Sequence, residues 1–119
     1  MSNENKVKQV EYYIELLNTH KPEMLDVLYH EHATVEDPYG SPAHEGIEAI
    51  KSFYNGAFEA KITAELTGPV RVAGDSAAFC FNVVYNGMLM EIIDVFQFDE
   101  NDKVISMKAY WSEANISQA

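Results

Sequence analysis

With a single cysteine, Cys80, the chain can close no disulfide within itself and cannot build a cysteine-based zinc centre. Basic residues are scarce too: 8 lysines and arginines face 19 acidic side chains, a net charge of −11. That balance repels phosphate backbones and anionic bilayers, so neither nucleic acid nor a membrane is expected as a partner. No apolar run approaches the roughly 18 residues of a membrane span. The opening Met1-Ser2-Asn3-Glu4-Asn5-Lys6 has no apolar stretch behind a basic end and does not read as a secretory signal. A Gly-x-Gly-x-x-Gly fingerprint, a Walker loop and a Gly-x-Ser-x-Gly elbow are all missing, which leaves nucleotide and serine-hydrolase chemistry without support. With no repeat and no linker, one cytoplasmic domain over 1–119 is the expectation.

What the chain does have is 47% apolar residues, enough for a core, in two different periods. Val7, Val10, Ile14 and Leu17 recur at helical spacing, with Tyr13 at the border of the stripe. Pro22 suits the first turn of a second helix carrying Leu25 and Leu28. A third helix begins near Gly46, with Ile47, Ile50, Phe53 and Tyr54 on one side. From Lys61 onward the period is two: Ile62, Ala64 and Leu66; then Phe79, Phe81, Val83 and Tyr85. Met90, Ile92, Phe96 and Phe98 follow, and then Ile105, Met107, Ala109 and Trp111. Gly74-Asp75, Asn86-Gly87 and Asn101-Asp102 separate these runs as turns, and Asn-Gly is a strong two-residue hairpin signal. Three N-terminal helices packed on a curved antiparallel sheet, forming a cone with an apolar pocket, is the expected α+β fold.

Three features break the pattern. Counting in twos through Met90, Ile92, Asp94, Phe96 and Phe98 places one carboxyl among four large apolar side chains, with no basic residue at that parity on neighbouring strands. Burying an ionised carboxylate there costs several kcal/mol, so a neutral, hydrogen-bond-donating Asp94 is economical. A one-residue slip that turns Asp94 outward is the other reading. Asp37 ends a short strand, Thr34-Val35-Glu36, and enters Pro38-Tyr39-Gly40, either as the rim of a pocket or as an ordinary turn. Tyr12, Tyr13, Tyr29 and Tyr54, assigned to helices, read as core packing or as a converging array of donors. His30 and His32, two apart at a helix end, point to different sides, and His20 and His44 are isolated, so no metal site is expected.

Several segments carry a resemblance. Ala33-Thr34-Val35-Glu36-Asp37-Pro38-Tyr39-Gly40 resembles the catalytic-base segment of the ketosteroid isomerases, whose scaffold is like that of nuclear transport factor 2. Ile92-Ile93-Asp94-Val95-Phe96-Gln97-Phe98-Asp99-Glu100 is similar to their oxyanion-hole strand. Ser106-Met107-Lys108-Ala109-Tyr110-Trp111-Ser112-Glu113-Ala114-Asn115-Ile116 resembles their last strand and tail, and Tyr13-Ile14-Glu15-Leu16-Leu17-Asn18 their first helix. The resemblance implies an isomerase of a 3-oxo-Δ5-steroid or similar ketone, with no cofactor and no metal. It implies Asp37 as the base, Tyr13 and a protonated Asp94 as donors to the dienolate oxygen, and Tyr29 and Tyr54 as the groups that orient Tyr13. Leu17, Phe81, Ile92, Phe96, Met107 and Trp111 are the expected wall of a steroid-sized pocket.

The stretch between Phe81 and Asp94 is shorter than in the family pattern, around Asn86-Gly87, which leaves the proton chemistry in place but opens the question of substrate. A cyclase or epoxide hydrolase on the same scaffold would also use an acid–base Asp37, and a plain apolar-ligand binder would keep the cone without needing it. A homodimer is expected, burying the outer sheet face of Ile93, Val95, Ala78, Cys80 and Val84.

Overall fold

A computed structural model describes residues 3–119. Helix α1 spans Asn3–Thr19, α2 Glu23–Leu28 and α3 Ile47–Glu59. Strands follow as β1 Tyr29–Glu36, β2 His44–Glu45, β3 Thr63–Leu66, β4 Arg71–Ala73, β5 Ser76–Tyr85, β6 Met88–Phe98, β7 Val104–Tyr110 and β8 Ile116–Gln118. They form one eight-stranded sheet whose main path runs β2-β1-β7-β6-β5-β3, with β4 beside β5 and β8 beside β6. The three helices close over a curved, unclosed sheet, which is the cone-like α+β plan expected from the change of period. No described helix is long and apolar enough to cross a membrane.

Each helix buries one stripe. On α1 the buried positions are Lys6, Val10, Tyr13, Leu16 and Leu17, so Tyr13 sits in the middle of the stripe and Val7 and Ile14 at its edges. On α3 they are Ile50, Tyr54 and Phe58, one every fourth residue. Asn86 (φ 49°) and Gly87 (φ 76°) make the β5–β6 turn with positive φ at both positions, as the twist of a tight hairpin requires.

Four expectations are corrected. The sheet holds more strands than a four-stranded meander, and one pair, β1 with β7, is parallel while the others are antiparallel. Tyr29 is not helical but opens β1, because α2 ends at Leu28 and the backbone turns extended at Tyr29, with burial alternating from Ala33 on, Ala33 and Val35 inward. His30 and His32 therefore share one side of a strand, with rings 5.6 Å apart, instead of diverging on a helix. A bulge between Ser106 and Val104 skips Ile105, so Val104 takes the core place that strict alternation gave to Ile105.

Lys6 is buried although it is basic. Its Nζ donates to Asp102 Oδ1 at 2.9 Å and lies 5.6 Å from the centre of the Phe98 ring. Gln9 Nε2 donates to the Asp102 carbonyl at 2.6 Å, so α1 is fastened at two points to the β6–β7 turn. Lys6→Ala is expected to lower stability by about 1.5–3 kcal/mol, the usual worth of a hydrogen bond to a charged group. A urea titration reads this as a lower midpoint at unchanged slope; an unchanged midpoint would show that the bridge contributes nothing.

Candidate active site

The strand register builds the site. Asp94 pairs with Phe79 of β5 on one side and with Ala109 of β7 on the other. Glu36 of β1 pairs with Lys108, so the next residue, Asp37, comes level with Ala109. Two carboxyls thus flank one alanine, two strand spacings or roughly 10 Å apart at the backbone. Because β1 and β7 run parallel, both leave the sheet at the same end. Trp111, just past β7, there donates its indole N–H to Asp37 Oδ1 at 2.6 Å. The loop after Asp37 is held by Tyr39 N–H donating to the Ala109 carbonyl at 2.6 Å and by Ser41 Oγ donating to the Pro38 carbonyl at 2.7 Å.

Layers of side chains stack on this row. Val35, Met107 and Phe96 lie one step below the acids, while Phe81, Ile92 and Trp111 lie one step above, followed by Val83 and Met90. A cavity of about 300 Å³ opens on the upper side, lined by Tyr13, Leu17, Asp37, Tyr54, Phe81 and Trp111 among others. A larger hollow of about 600 Å³, lined by Thr67, Cys80, Glu91, Ile93 and Tyr110, lies on the outer face and includes neither acid.

The two acids have different surroundings. Asp94 is 1% exposed, and among the described residues neither of its carboxyl oxygens has a hydrogen-bond partner. Burial pushes its pKa well above the usual carboxylate range, and the nearby charge of Asp37 pushes it further. The Tyr13 hydroxyl is close enough to pull slightly the other way, though it makes no hydrogen bond of ordinary geometry to the carboxyl. Asp37 is half-buried. Desolvation raises its pKa, while the Trp111 hydrogen bond and then the field of His44 oppose the rise. His44 itself packs on Phe53, ring centres 4.4 Å apart.

Beside Asp94 a chain of phenols crosses the core. Tyr29 and Tyr54 hydroxyls are 2.8 Å apart, and Tyr54 and Tyr13 hydroxyls 3.0 Å apart. Burial raises the pKa of all three well above the tyrosine norm, so they remain protonated donors. Asp37 thus stands at an apolar cavity with the phenols of Tyr13 and Tyr54, while Asp94 is buried and not part of the cavity wall.

A SnoaL-like domain model matches residues 10–107. A steroid Delta-isomerase of Nocardioides simplex is 35% identical over 108 residues, covering 87% of each chain. The chain belongs to the SnoaL-like domains, and within them to the ketosteroid isomerase family. Among solved structures, the epoxide hydrolase/cyclase-like enzyme SalBIII, of pyran ring formation in the polyether salinomycin, superposes with a TM-score of 0.92. It covers 99% of this chain and 98% of its own at 22% identity, a likeness of fold.

In this ketosteroid isomerase family member, the cavity wall includes Asp37, Tyr13, Tyr54, Leu17, Phe81, Ile92 and Trp111. Asp94, Tyr29, Phe96 and Met107 do not line it; all four are buried, Asp94 within the acid row and Phe96 edge-on to Tyr13 at 5.1 Å. Sequence reading missed Phe53, Gly56, Ala57, Ala60, Ile62, Val83, Tyr85 and Met90 as lining residues. Ile62, Val83, Tyr85 and Met90 had the inward parity that could have marked them, whereas the exposed Gly56 carried no signal. The Trp111–Asp37 hydrogen bond was also not visible, since it depends on the parallel pair.

The buried acid has a cost that can be measured. An unfolded Asp94 ionises near the ordinary aspartate value of 3.8, whereas the folded one keeps its proton to higher pH. The folded state therefore binds the extra proton, and this residue's contribution to stability falls as pH rises above about 4. Asp94→Leu is expected to melt higher than the parent at pH 7, with the gap closing toward pH 4. A variant less stable than the parent at pH 7 would mean that the carboxyl is paired in solution.

Proposed function

We propose that the protein is a cofactor-independent steroid Δ-isomerase, moving a β,γ double bond into conjugation in a 3-oxo-Δ5-steroid or a similar ketone. The observation that carries this reading is the carboxyl of Asp94, buried without a partner in the same row of the sheet as Asp37, which lines the cavity with Tyr13. Asp37 takes a proton from C4, and the electron pair moves through C3 onto the carbonyl oxygen to give a dienolate. Protonated Asp94 and Tyr13 donate hydrogen bonds to that oxygen. When Tyr29 donates to Tyr54 and Tyr54 to Tyr13, the Tyr13 proton is left for the ligand. Asp37 then returns its proton to C6, the carbonyl re-forms, and the double bond rests between C4 and C5. The proton balance closes within the site, so the step calls for no metal or cofactor.

The likeness to a cyclase-type fold does not favour that chemistry here, because 22% identity speaks to fold alone. Two donors held protonated beside one another suit a planar oxyanion better than an epoxide. A binding protein would have no use for a desolvated acid facing a half-buried base.

Isomerisation creates a conjugated enone, so ultraviolet absorbance with 5-androstene-3,17-dione tests the reading. Asp37→Asn is expected to lower kcat by about 10²–10⁴-fold or more. Asp94→Asn keeps a donor and should retain more activity than Asp94→Leu, which should lose about 10²–10³-fold. Because Asp37 must be ionised to act, and its pKa is raised, the rate should decline with falling pH from above the ordinary carboxylate range. Absence of any absorbance change in the wild type, or an Asp94→Leu variant as active as the parent, would sink the assignment.

The outer sheet face supports a second copy of this chain as its occupant. Ile93 is 45% and Tyr110 43% exposed there, Tyr39 stacks on Tyr110 at 5.1 Å, and Lys108 lies over the Tyr39 ring. Glu91 and Lys108 on the same face allow the patch to be self-complementary in a chain of net −11. Sedimentation at micromolar concentration is expected to give a dimer that Ile93→Glu dissociates; a monomeric wild type would refute the interface.

A further inference from the structure

The cavity is polar at one end only, with a single exception. Asp37, Tyr13, Tyr54 and Trp111 crowd the acid end. Beyond them the walls are Val83, Met90, Ile62, Ala57 and Ala60, all apolar. The exception is Tyr85, the last residue of β5, which lines the cavity and brings a phenol to its outer end.

Strand register places it. The inward row of β5 is Phe79, Phe81, Val83 and Tyr85, facing Asp94, Ile92, Met90 and Met88 of β6 in turn. Tyr85 therefore stands three inward steps from the acid layer, about 20 Å along the strand at roughly 3.3 Å per residue. Unlike Tyr13 and Tyr54, Tyr85 takes part in none of the side-chain hydrogen bonds found among the described residues. The position is firmly held. Asn86-Gly87 turns immediately after it, β8 pairs Met88, Leu89 and Met90 on the other edge of β6, and Ala119 N–H donates to the Gly87 carbonyl at 2.9 Å.

We propose that the Tyr85 hydroxyl is the distal recognition group of the site, engaging an oxygen substituent at the end of the substrate opposite the reacting ketone. The expected substrate class is an elongated, rigid, otherwise apolar ketone that carries a second ketone or hydroxyl at its far end. A long skeleton spans the apolar middle, and its two polar ends meet the two polar ends of the cavity. A compact one-ring ketone fills only the acid end. The short β5–β6 hairpin serves this arrangement by bringing the chain into its turn directly after Tyr85.

This inference rests on the proposed isomerase reading, and the test separates the two. Two 3-oxo-Δ5-steroids, one with and one without a 17-oxo group, are compared in wild type and Tyr85→Phe, which keeps the ring and removes the hydroxyl. For the 17-oxo substrate Tyr85→Phe should raise KM about three- to ten-fold, the worth of one neutral hydrogen bond, with the effect on KM and not on kcat. For the substrate lacking that oxygen, KM should be the same in both proteins. Binding of a phenolic steroid, with and without a 17-ketone, supplies a readout independent of turnover. A ketone-dependent loss of binding in Tyr85→Phe without any isomerisation would overturn the isomerase reading and keep the Tyr85 assignment. Isomerisation with no difference between the two proteins for either substrate would overturn the Tyr85 assignment and keep the reaction. Failure of the phenolic steroids to bind at all would overturn both.

Discussion

The desolvation of Asp94 is the constraint around which the rest of the molecule is arranged. A carboxyl taken out of water without a partner cannot stay ionised at ordinary cost, and Phe79, Phe96, Ile92 and Ala109 beside or across from it give it no partner. The fold keeps the group and accepts the loss in stability. The surrounding aromatic packing, with Tyr13 edge-on to Phe79, Phe81 and Phe96, shuts water out and holds the tyrosine against the acid. The raised pKa of Asp94, the protonated phenols and the apolar cavity all follow from that dry environment.

Asp37 shows the opposite use of burial. It lies at the cavity, only half-buried, and the Trp111 indole donates to it, which favours the ionised form against desolvation. Two identical side chains in one row of a sheet thus have different surroundings, and burial raises the pKa of Asp94 further than that of Asp37. The parallel β1–β7 pair makes this possible. An antiparallel partner would have carried the residue after its strand to the opposite end, and Trp111 could not then have met Asp37.

Much of this was legible in the residues. The change of period near Lys61 separates helices from sheet, and parity alone marks Asp94 as buried, because a strand turns alternate side chains to one face. The phenols of Tyr13 and Tyr54 lie on buried helical stripes. Tyr29 escaped that logic, since a residue at a helix–strand junction has no period of its own. The role of Ile105 was misjudged because a bulge breaks the count in twos without changing composition. Phe96 and Met107 had the right parity for a wall, but parity names the face of a sheet and not the level along it, and they stand one level too deep.

The sequence by itself determined the classes of residue and their faces: an acid among apolar neighbours, a second acid before a proline, tyrosines on helices, two kinds of period. These are local properties, written within a few residues of chain and enforced by the geometry of helix and strand. Only the tertiary structure decided which of them meet. The level of Asp37 with Asp94, the Trp111 hydrogen bond, the phenol chain from Tyr29 to Tyr13 and the place of Tyr85 at the far end of the cavity all join segments dozens of residues apart. Such contacts depend on strand order and register, which are set by how the whole hydrophobic surface is buried at once and by no short stretch of it.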